Sequence, residues 1–232
     1  MPTGTSSEPR VRFRGLPFRN SLLARSRILG PIIIHPKEPE PFQYDEERLL
    51  YLQDWYIQTS TQQLVGLNNW PFTWVGNPNS ILINGKGVAT ECLPGGANFN
   101  ISTKCLETCL SPMEEMLNVT TVQAGNTYRF RIISAAALVM MNLAISNHNM
   151  TIVQVEGTNV EPFTVDSLDV APGQRYDVLV TMDQTPRTYW IETTVRERQM
   201  NIKGQALLHY DTEASVVLPA VEEARSIPSV LE

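Results

Sequence analysis

The stretch VQAGNTYRFRII (residues 122–133) indicates how this chain folds. Gly125 provides a turn, and the residues from Tyr128 onward alternate between apolar and polar, as in a strand with one buried face. The stretch VAPGQRYDVLV (residues 170–180) repeats the spacing V-x-x-G-x-x-Y 48 residues further along. Two turn-and-strand units of one design, with several short strands between them, predict an all-β protein with a Greek-key β-sandwich.

The alternation also predicts which side chains face the core of the sandwich. One face carries the apolar residues Tyr128, Phe130, Ile132, Tyr176, Val178 and Val180. The opposite face carries the polar residues Arg129, Arg131, Asp177 and Thr181. Because burial of apolar surface stabilises a fold, the first set is expected to pack between the two sheets and the second on the outside.

Outside these units, prolines divide the chain. The β-branched run Gly30–Ile34 predicts a short buried strand. Three prolines follow within residues 36–41, and they predict a stiff, exposed linker because proline cannot continue a sheet. Strand patterns recur from about residue 45 onward. The tail from about residue 214 shows no clear period and is expected to be a peripheral extension.

Composition and charge exclude several classes of function. Apolar residues make up 42% and charged residues 18% of the 232 residues, as is ordinary for a globular protein, and no stretch approaches the roughly 20 apolar residues of a membrane helix. Residues 1–36 carry six Arg and one acid, Glu8, whereas the remainder holds 12 basic and 23 acidic residues. Such an acidic body disfavours nucleic-acid binding. The basic head has the composition of a transit peptide; a disordered leader or a truncated start is the alternative.

Few side chains could hold a metal ion. The three cysteines and three histidines are Cys92, Cys105, Cys109, His35, His148 and His209. The cysteines lie within 18 residues and have no histidine near them, so a zinc site is not expected. His148 is expected to make hydrogen bonds in a turn between strands, and His35 and His209 to be surface or edge residues.

The odd number of cysteines predicts one disulfide and one leftover thiol. Asn100, Asn118 and Asn149 each begin an N-x-S/T triplet, which makes them potential N-glycosylation sites. Together with the cysteines, these triplets favour an oxidising, secretory environment. The chain shows no signal peptide for that route.

Three long segments resemble plant ascorbate oxidases, which are three-domain multicopper oxidases. They are EPFQYDEERLLYLQDWY (residues 40–56), QQLVGLNNWPFTWVGNPNSILINGKG (62–87) and YRFRIISAAALVMMNLAISNHNMTIVQVEGTNVEPF (128–163). The similarity runs in unbroken order over about residues 28–212 and covers the end of the first domain and the whole second domain. The resemblance implies a cupredoxin, or plastocyanin-like, sandwich.

The resemblance implies a division of the chain into four parts. Residues 1–27 would be the basic leader or truncated start, and residues 28–44 the end of the first cupredoxin domain with its Pro-rich linker. Residues 45–213 would form the second cupredoxin domain, and residues 214–232 a C-terminal extension. The partners of this chain would be the missing first and third domains, in a secreted protein that uses copper to oxidise a small reductant such as ascorbate or a phenol.

The copper ligands of such enzymes are not recognisable in this chain. A blue copper site needs two His and a Cys thiolate, and none of the three cysteines has a His within the next 30 residues. In the family, four His-x-His pairs hold the trinuclear cluster, and this sequence has no His-x-His. The chain is therefore expected to bind no copper and to be inactive by itself.

The resemblance also implies roles for particular residues. Cys92 and Cys105 would form a disulfide within the domain, and Cys109 would reach the first domain and remain a free thiol here. Trp74 would help to line the substrate pocket between domains by stacking on a flat reductant ring. The alternative for Trp74 is that it packs the sandwich against a neighbouring domain.

Three functions remain open from the sequence. The first is the non-copper middle domain of an ascorbate oxidase- or laccase-like oxidoreductase that reduces oxygen to water. The second is a non-catalytic cell-wall glycoprotein of the same fold, and the third is a stand-alone cupredoxin-like binding module.

Overall fold

The alternating stretches of the sequence form strands. The computed structural model describes residues 30–37, 39–88, 117–198, 202–212 and 216–219, in which eleven strands and one helix follow one another. The strands are β1 (Glu46–Trp55), β2 (Ser80–Ile83), β3 (Val119–Val122), β4 (Thr127–Ser134), β5 (Met141–Ile145), β6 (Met150–Val155), β7 (Thr158–Val165), β8 (Ser167–Val170), β9 (Arg175–Thr181), β10 (Thr188–Val195) and β11 (Lys203–Tyr210), and the helix is α1 (Ser60–Asn68).

The described strands form two mixed sheets. The six-stranded sheet has the order β2-β1-β4-β9-β6-β7, and the five-stranded sheet has the order β3-β11-β10-β5-β8. Neighbouring strands are antiparallel except for the pairs β1–β4 and β3–β11, which are parallel. The chain crosses between the sheets repeatedly, and their facing sides enclose one apolar core, so the predicted all-β sandwich is confirmed.

The two repeated units lie side by side as the antiparallel strands β4 and β9. The amide of Gly125, in the turn before β4, donates to the carbonyl of Met182, just after β9 (2.8 Å). The amide of Gly173, in the turn before β9, donates to the carbonyl of Ser134, at the end of β4 (3.0 Å). Ser134 and Met182 are themselves 48 residues apart, so each turn clasps the strand of the other unit in the same way.

The predicted core face is confirmed. Tyr128, Phe130, Ile132, Val178 and Val180 are fully buried in the apolar core, and the half-buried Tyr176 packs against it. The burial of the polar face differs from what the alternation alone would indicate. Arg129, Arg131 and Asp177 lie on the outer side of the sheet, as the alternation requires, but they are buried as well.

Two segments outside the strands differ from each other in how they pack. The run of residues 30–34 forms no strand, and Ile32 is 56% exposed, so the prediction of a buried strand is wrong. An apolar run becomes a buried strand only where a sheet offers it a neighbour, and no described strand pairs with this run. In contrast, Val216 and Leu218 pack against Trp190 and Leu207 on the outer side of the five-stranded sheet.

The last strand of the six-stranded sheet, β7, is irregular. Its pairing with β6 shifts register between Ile152 and Gln154, whose partners are Phe163 and Asn159. Pro162, which has no amide hydrogen, lies in the shifted stretch. Nearly all of β7 is exposed.

The matched turns make a prediction about stability. Gly125 and Gly173 have φ angles of +85° and +82°, a region that costs a residue with a Cβ about 1 kcal/mol or more. Gly125→Ala and Gly173→Ala should therefore each lower the free energy of unfolding by about 1 kcal/mol, measured by urea denaturation. Gly30→Ala is the control, because Gly30 has open space around it and no positive φ. Unchanged stability in both turn variants would show that the turns do not need the left-handed conformation.

Candidate functional site

The chain between β1 and β2 carries the largest group of exposed apolar side chains in the described residues. We refer to residues 56–79 as the aromatic excursion. Its exposed large apolar residues are Ile57, Leu64, Val65, Trp70, Phe72 and Trp74. Since exposed apolar surface on this scale commonly marks a binding surface, the excursion is the candidate functional site.

Hydrogen bonds hold the excursion in shape. At its neck, the side-chain oxygen of Asn79 accepts from the amide of Ile57 (3.0 Å), and the amide of Asn79 donates to the carbonyl of Trp55 (2.8 Å). Further out, the amide of Thr73 donates to the carbonyl of Gly66 (2.9 Å). The excursion is thus folded back on its own helix and tied at its base.

The helix α1 was not predicted, although the sequence contains its signal. Thr59 is the N-cap, its side chain accepts from the amide of Gln62, and the Gln62 side chain accepts from the amide of Thr59. A Thr followed three residues later by Gln is a capping box, which marks a helix N-terminus. The strand patterns on either side obscured this signal.

The aromatic rings project from the excursion rather than into the sandwich. Trp74 is 52% exposed and Trp70 is 95% exposed, beside a cis peptide bond to Pro71. The rings of Phe72 and Trp74 lie 6.3 Å apart between centroids and are tilted by 32°. Two neighbouring exposed rings present flat apolar surface that can stack on an aromatic ring or on apolar protein surface.

Asp54, at the base of the excursion, has a role that sequence reasoning missed. It is buried, and its two carboxylate oxygens accept hydrogen bonds from the amides of Ala137 and Leu138, both 2.9 Å. A carboxylate that accepts two backbone hydrogen bonds fixes the loop that donates them. The end of β1 is thereby tied to the loop between β4 and β5.

His148 lies in the turn between β5 and β6, where it was predicted to make hydrogen bonds, and it is buried. Its Nδ1 lies 2.7 Å from the carbonyl oxygen of Ser146, and its Nε2 lies 2.7 Å from the hydroxyl of Tyr210. Because a carbonyl can only accept, Nδ1 carries the proton and the Tyr210 hydroxyl donates to Nε2. Burial raises the pKa of Tyr210 to about 12, which keeps this donor protonated.

The prediction for His209 is wrong. The residue is buried rather than on the surface, and its strand β11 lies between β10 and β3 instead of at an edge. Its Nδ1 is 2.9 Å from the hydroxyl of Thr188. The parallel partner β3 lies far from β11 in sequence, so a local pattern does not reveal this pairing. His35 is exposed, as predicted.

The described part of the chain does not fit a copper ion. No group of three His, Cys, Asp or Glu side chains within it comes together in a way that could hold a metal. His148 uses both ring nitrogens in hydrogen bonds, and His209 uses one. His148 would have to give up one of these bonds to become a ligand, and one further ring nitrogen on His209 does not make a copper site, so the described residues offer copper no donor set.

The other candidate residues fall into two groups. Cys92, Cys105, Cys109 and Asn100 lie outside the described residues. Asn118 is half-buried and its side-chain nitrogen donates to the hydroxyl of Thr120 (3.2 Å), whereas Asn149 is exposed. Within the described ranges, no helix is long and apolar enough to cross a membrane.

Comparison with known proteins gives one consistent family. The model of the multicopper oxidase family matches residues 46–213. The L-ascorbate oxidase of Cucumis sativus is 41% identical over 197 residues, which are 83% of this chain and 33% of that protein. Laccase-3 of Thanatephorus cucumeris is 32% identical over 188 residues, 79% of this chain and 29% of that protein.

Among solved structures, the laccase from Botrytis aclada superposes with a TM-score of 0.60 at 24% identity, over 82% of this chain and 33% of the laccase. This likeness concerns the fold, and the cupredoxin type of sandwich is thereby confirmed. The chain spans about a third of the length of the curated relatives it matches.

His148 makes a prediction about pH. Burial lowers the pKa of His148, although the hydrogen bond to Ser146 opposes this. Below about pH 6.5, the ordinary pKa of histidine, the unfolded chain takes up a proton that the folded chain does not. The free energy of unfolding therefore decreases as the pH is lowered from about 6.5 to the lower pKa of His148 in the folded chain. In His148→Gln this contribution is removed, and the stability difference between wild type and variant should shrink from pH 7.5 to pH 5.

Urea unfolding at both pH values measures this difference. At pH 7.5 the variant should be less stable by about 1 kcal/mol, because a buried hydrogen-bonded group is lost. His35→Gln is the matched control, since His35 is exposed. A difference between wild type and His148→Gln that stays constant with pH would contradict the assignment of a neutral, buried His148.

Proposed function

The chain belongs to the multicopper oxidase family, and from that membership we propose that it is the copper-free middle domain of a three-domain, copper-dependent oxidoreductase. The enzyme would be of the ascorbate oxidase or laccase type, and it would couple oxidation of a small reductant to reduction of oxygen to water. The observation that carries this proposal is the family match over residues 46–213, in a chain whose match spans about a third of the length of its relatives.

The division of labour follows from the donor sets. When bound in the other domains, copper would take electrons from the reductant and pass them to oxygen. The described residues of this chain offer no group of donors that could hold copper, so its contribution would be structural and substrate-facing. By this account the chain acts with a first and a third domain, in a secreted protein, and is inactive alone.

Within this domain, the aromatic excursion is the part that would meet the reductant. Trp74 and Phe72 present adjacent rings on an excursion that is tied at its neck by Asn79. Stacking of a flat ring on an exposed Trp contributes about 0.5–1.5 kcal/mol beyond the burial of area. We propose that Trp74 orients the flat ring of ascorbate or a phenol by such stacking.

A second candidate is a non-catalytic glycoprotein of the same fold. Asn149 is compatible with such a protein, because it is exposed in the turn between β5 and β6 and is followed two residues later by Thr151. A glycan on Asn149 would point to solvent, whereas Asn118 is half-buried and already bonded to Thr120. We propose Asn149 as the glycosylated residue of these two in either kind of protein.

Glycosylation is tested by producing the chain behind a cleavable secretion signal in a eukaryotic host. Asn149→Gln should remove one glycan, seen as a faster-migrating band that an N-glycosidase no longer shifts by that step. Asn118→Gln is the matched control and should migrate like the parent chain. If the signal is cleaved and Asn149→Gln still migrates like the parent, Asn149 is not the site.

The oxidase proposal is tested in a chimera. Residues 46–213 replace the corresponding segment of the Cucumis sativus L-ascorbate oxidase, whose other domains supply the copper ligands. The chimera should hold copper and oxidise ascorbate. Trp74→Ala in the chimera should raise KM about three- to tenfold with little change in kcat. The reason is that ring stacking would stabilise the bound reductant and the transition state equally.

Two controls make this test specific. Trp70→Ala removes a more exposed Trp from the same excursion and should leave KM unchanged. The 232-residue chain assayed by itself should neither bind copper nor oxidise ascorbate, and stoichiometric copper in it would contradict the proposal. A chimera that folds but holds no copper would argue for one of the non-catalytic functions, and an unchanged KM in Trp74→Ala would remove Trp74 from the substrate site.

A further inference from the structure

A short segment before β1 lies across the outer face of the six-stranded sheet. We refer to residues 40–45 as the strap. Glu40, Phe42 and Tyr44 are half-buried, and the residues that alternate with them are exposed. The strap therefore presents every second side chain to the sheet, although it is not one of its strands.

The side chains of the strap converge on Arg129, whose side chain is 0% exposed. Glu40 accepts a hydrogen bond from Nη1 of Arg129 (2.8 Å). The ring centroids of Phe42 and Tyr44 lie 5.1 and 5.4 Å from its guanidinium carbon. One carboxylate and two aromatic rings of the strap thus contact the same cation.

The sheet provides the rest of the surroundings of this guanidinium. Asp177 accepts from Nε of Arg129 (2.9 Å) and forms an ion pair with it, and Gln154 accepts from Nη2 (2.9 Å). Asp177 is shared with Arg131, which also pairs with Glu47 (2.7 Å). The carboxylate of Asp177 raises the pKa of Arg129, which burial alone would lower.

A buried guanidinium is costly unless charged and polar partners surround it. From the sheet, Asp177 and Gln154 occupy Nε and Nη2, and Glu47 lies 3.4 Å from Nη1. The strap supplies Nη1 with a closer carboxylate, Glu40, at 2.8 Å and covers the cation with two rings. If the strap left the sheet, Arg129 would lose the carboxylate of Glu40 and the two rings that cover its guanidinium. Burial also protects these contacts from screening by salt.

The two ends of the strap are tied as well. Glu40 accepts from the side-chain nitrogen of Gln154 (3.2 Å) at one end. At the other end, Asp45 and Thr127 exchange two hydrogen bonds: the amide of Asp45 donates to the carbonyl of Thr127 (2.8 Å), and the amide of Thr127 donates to the carboxylate of Asp45 (2.7 Å). Both ends of the strap are held to the same sheet.

We propose that the contacts of the strap with Arg129 fix the direction in which the preceding chain leaves the sandwich. The part of the protein before Glu40 would then be coupled rigidly to the six-stranded sheet instead of hanging on a free linker. This inference does not depend on copper or on the identity of a reductant. It concerns any domain that precedes residue 40.

Backbone dynamics of the full chain test whether the strap is held rigidly on the sheet. In wild type, ¹⁵N relaxation should give the amides of residues 42–45 order parameters near those of β4, about 0.85. Glu40→Gln combined with Phe42→Ala removes one carboxylate and one ring that contact Arg129, and it leaves the residues of the sheet unchanged. This variant should lower the strap values towards about 0.6 and speed amide exchange of Asp45 at least about tenfold.

Gln43→Ala is the matched control, because Gln43 belongs to the same segment but is exposed. Its order parameters and exchange rates should equal those of wild type. Amides of β4 and β9 should stay protected in all variants, which separates release of the strap from unfolding. Wild-type strap values below about 0.6, or a double variant as rigid as wild type, would overturn the proposal.

Discussion

The ion pair between Arg129 and Asp177 joins the two strands around which the sandwich is built. Arg129 follows Tyr128 and Asp177 follows Tyr176, so the two charges occupy equivalent places in the repeated unit. Identical residues at these places would have set two like charges side by side on a buried face, which is strongly unfavourable. Opposite charges allow two units of one design to lie against each other, and the crossed hydrogen bonds of their turns complete the match.

The sequence predicts what depends on neighbours along the chain. Alternation correctly assigned Tyr128 and Val178 to the core because a strand places every second side chain on one face. The burial of Arg129 could not be predicted in this way, since its cover comes from residues 40–45, more than 80 positions earlier. His209 was misplaced for the same reason, because the strand that covers its edge is remote in sequence.

The candidate site shows the same limit. Trp74 was singled out through a family resemblance, and the structure adds what no pattern contained: a neck closed by Asn79, a neighbouring ring and a rigid base at Asp54. The residues that hold the fold together are thus different from those that present a surface for binding. The sandwich provides a body in which His148 and His209 are hydrogen-bonded, and the excursion carries the largest group of exposed apolar side chains in the described residues.

The irregular strand β7 bears on how copies of this protein meet. A regular, flat outer strand offers a row of free amides and carbonyls to any other chain, and such rows seed fibrils. β7 departs from such a strand, because its pairing with β6 shifts near Ile152 and Pro162 has no amide hydrogen to donate. Another strand would therefore find a less regular partner in β7 than in a flat edge strand, which disfavours edge-to-edge pairing there.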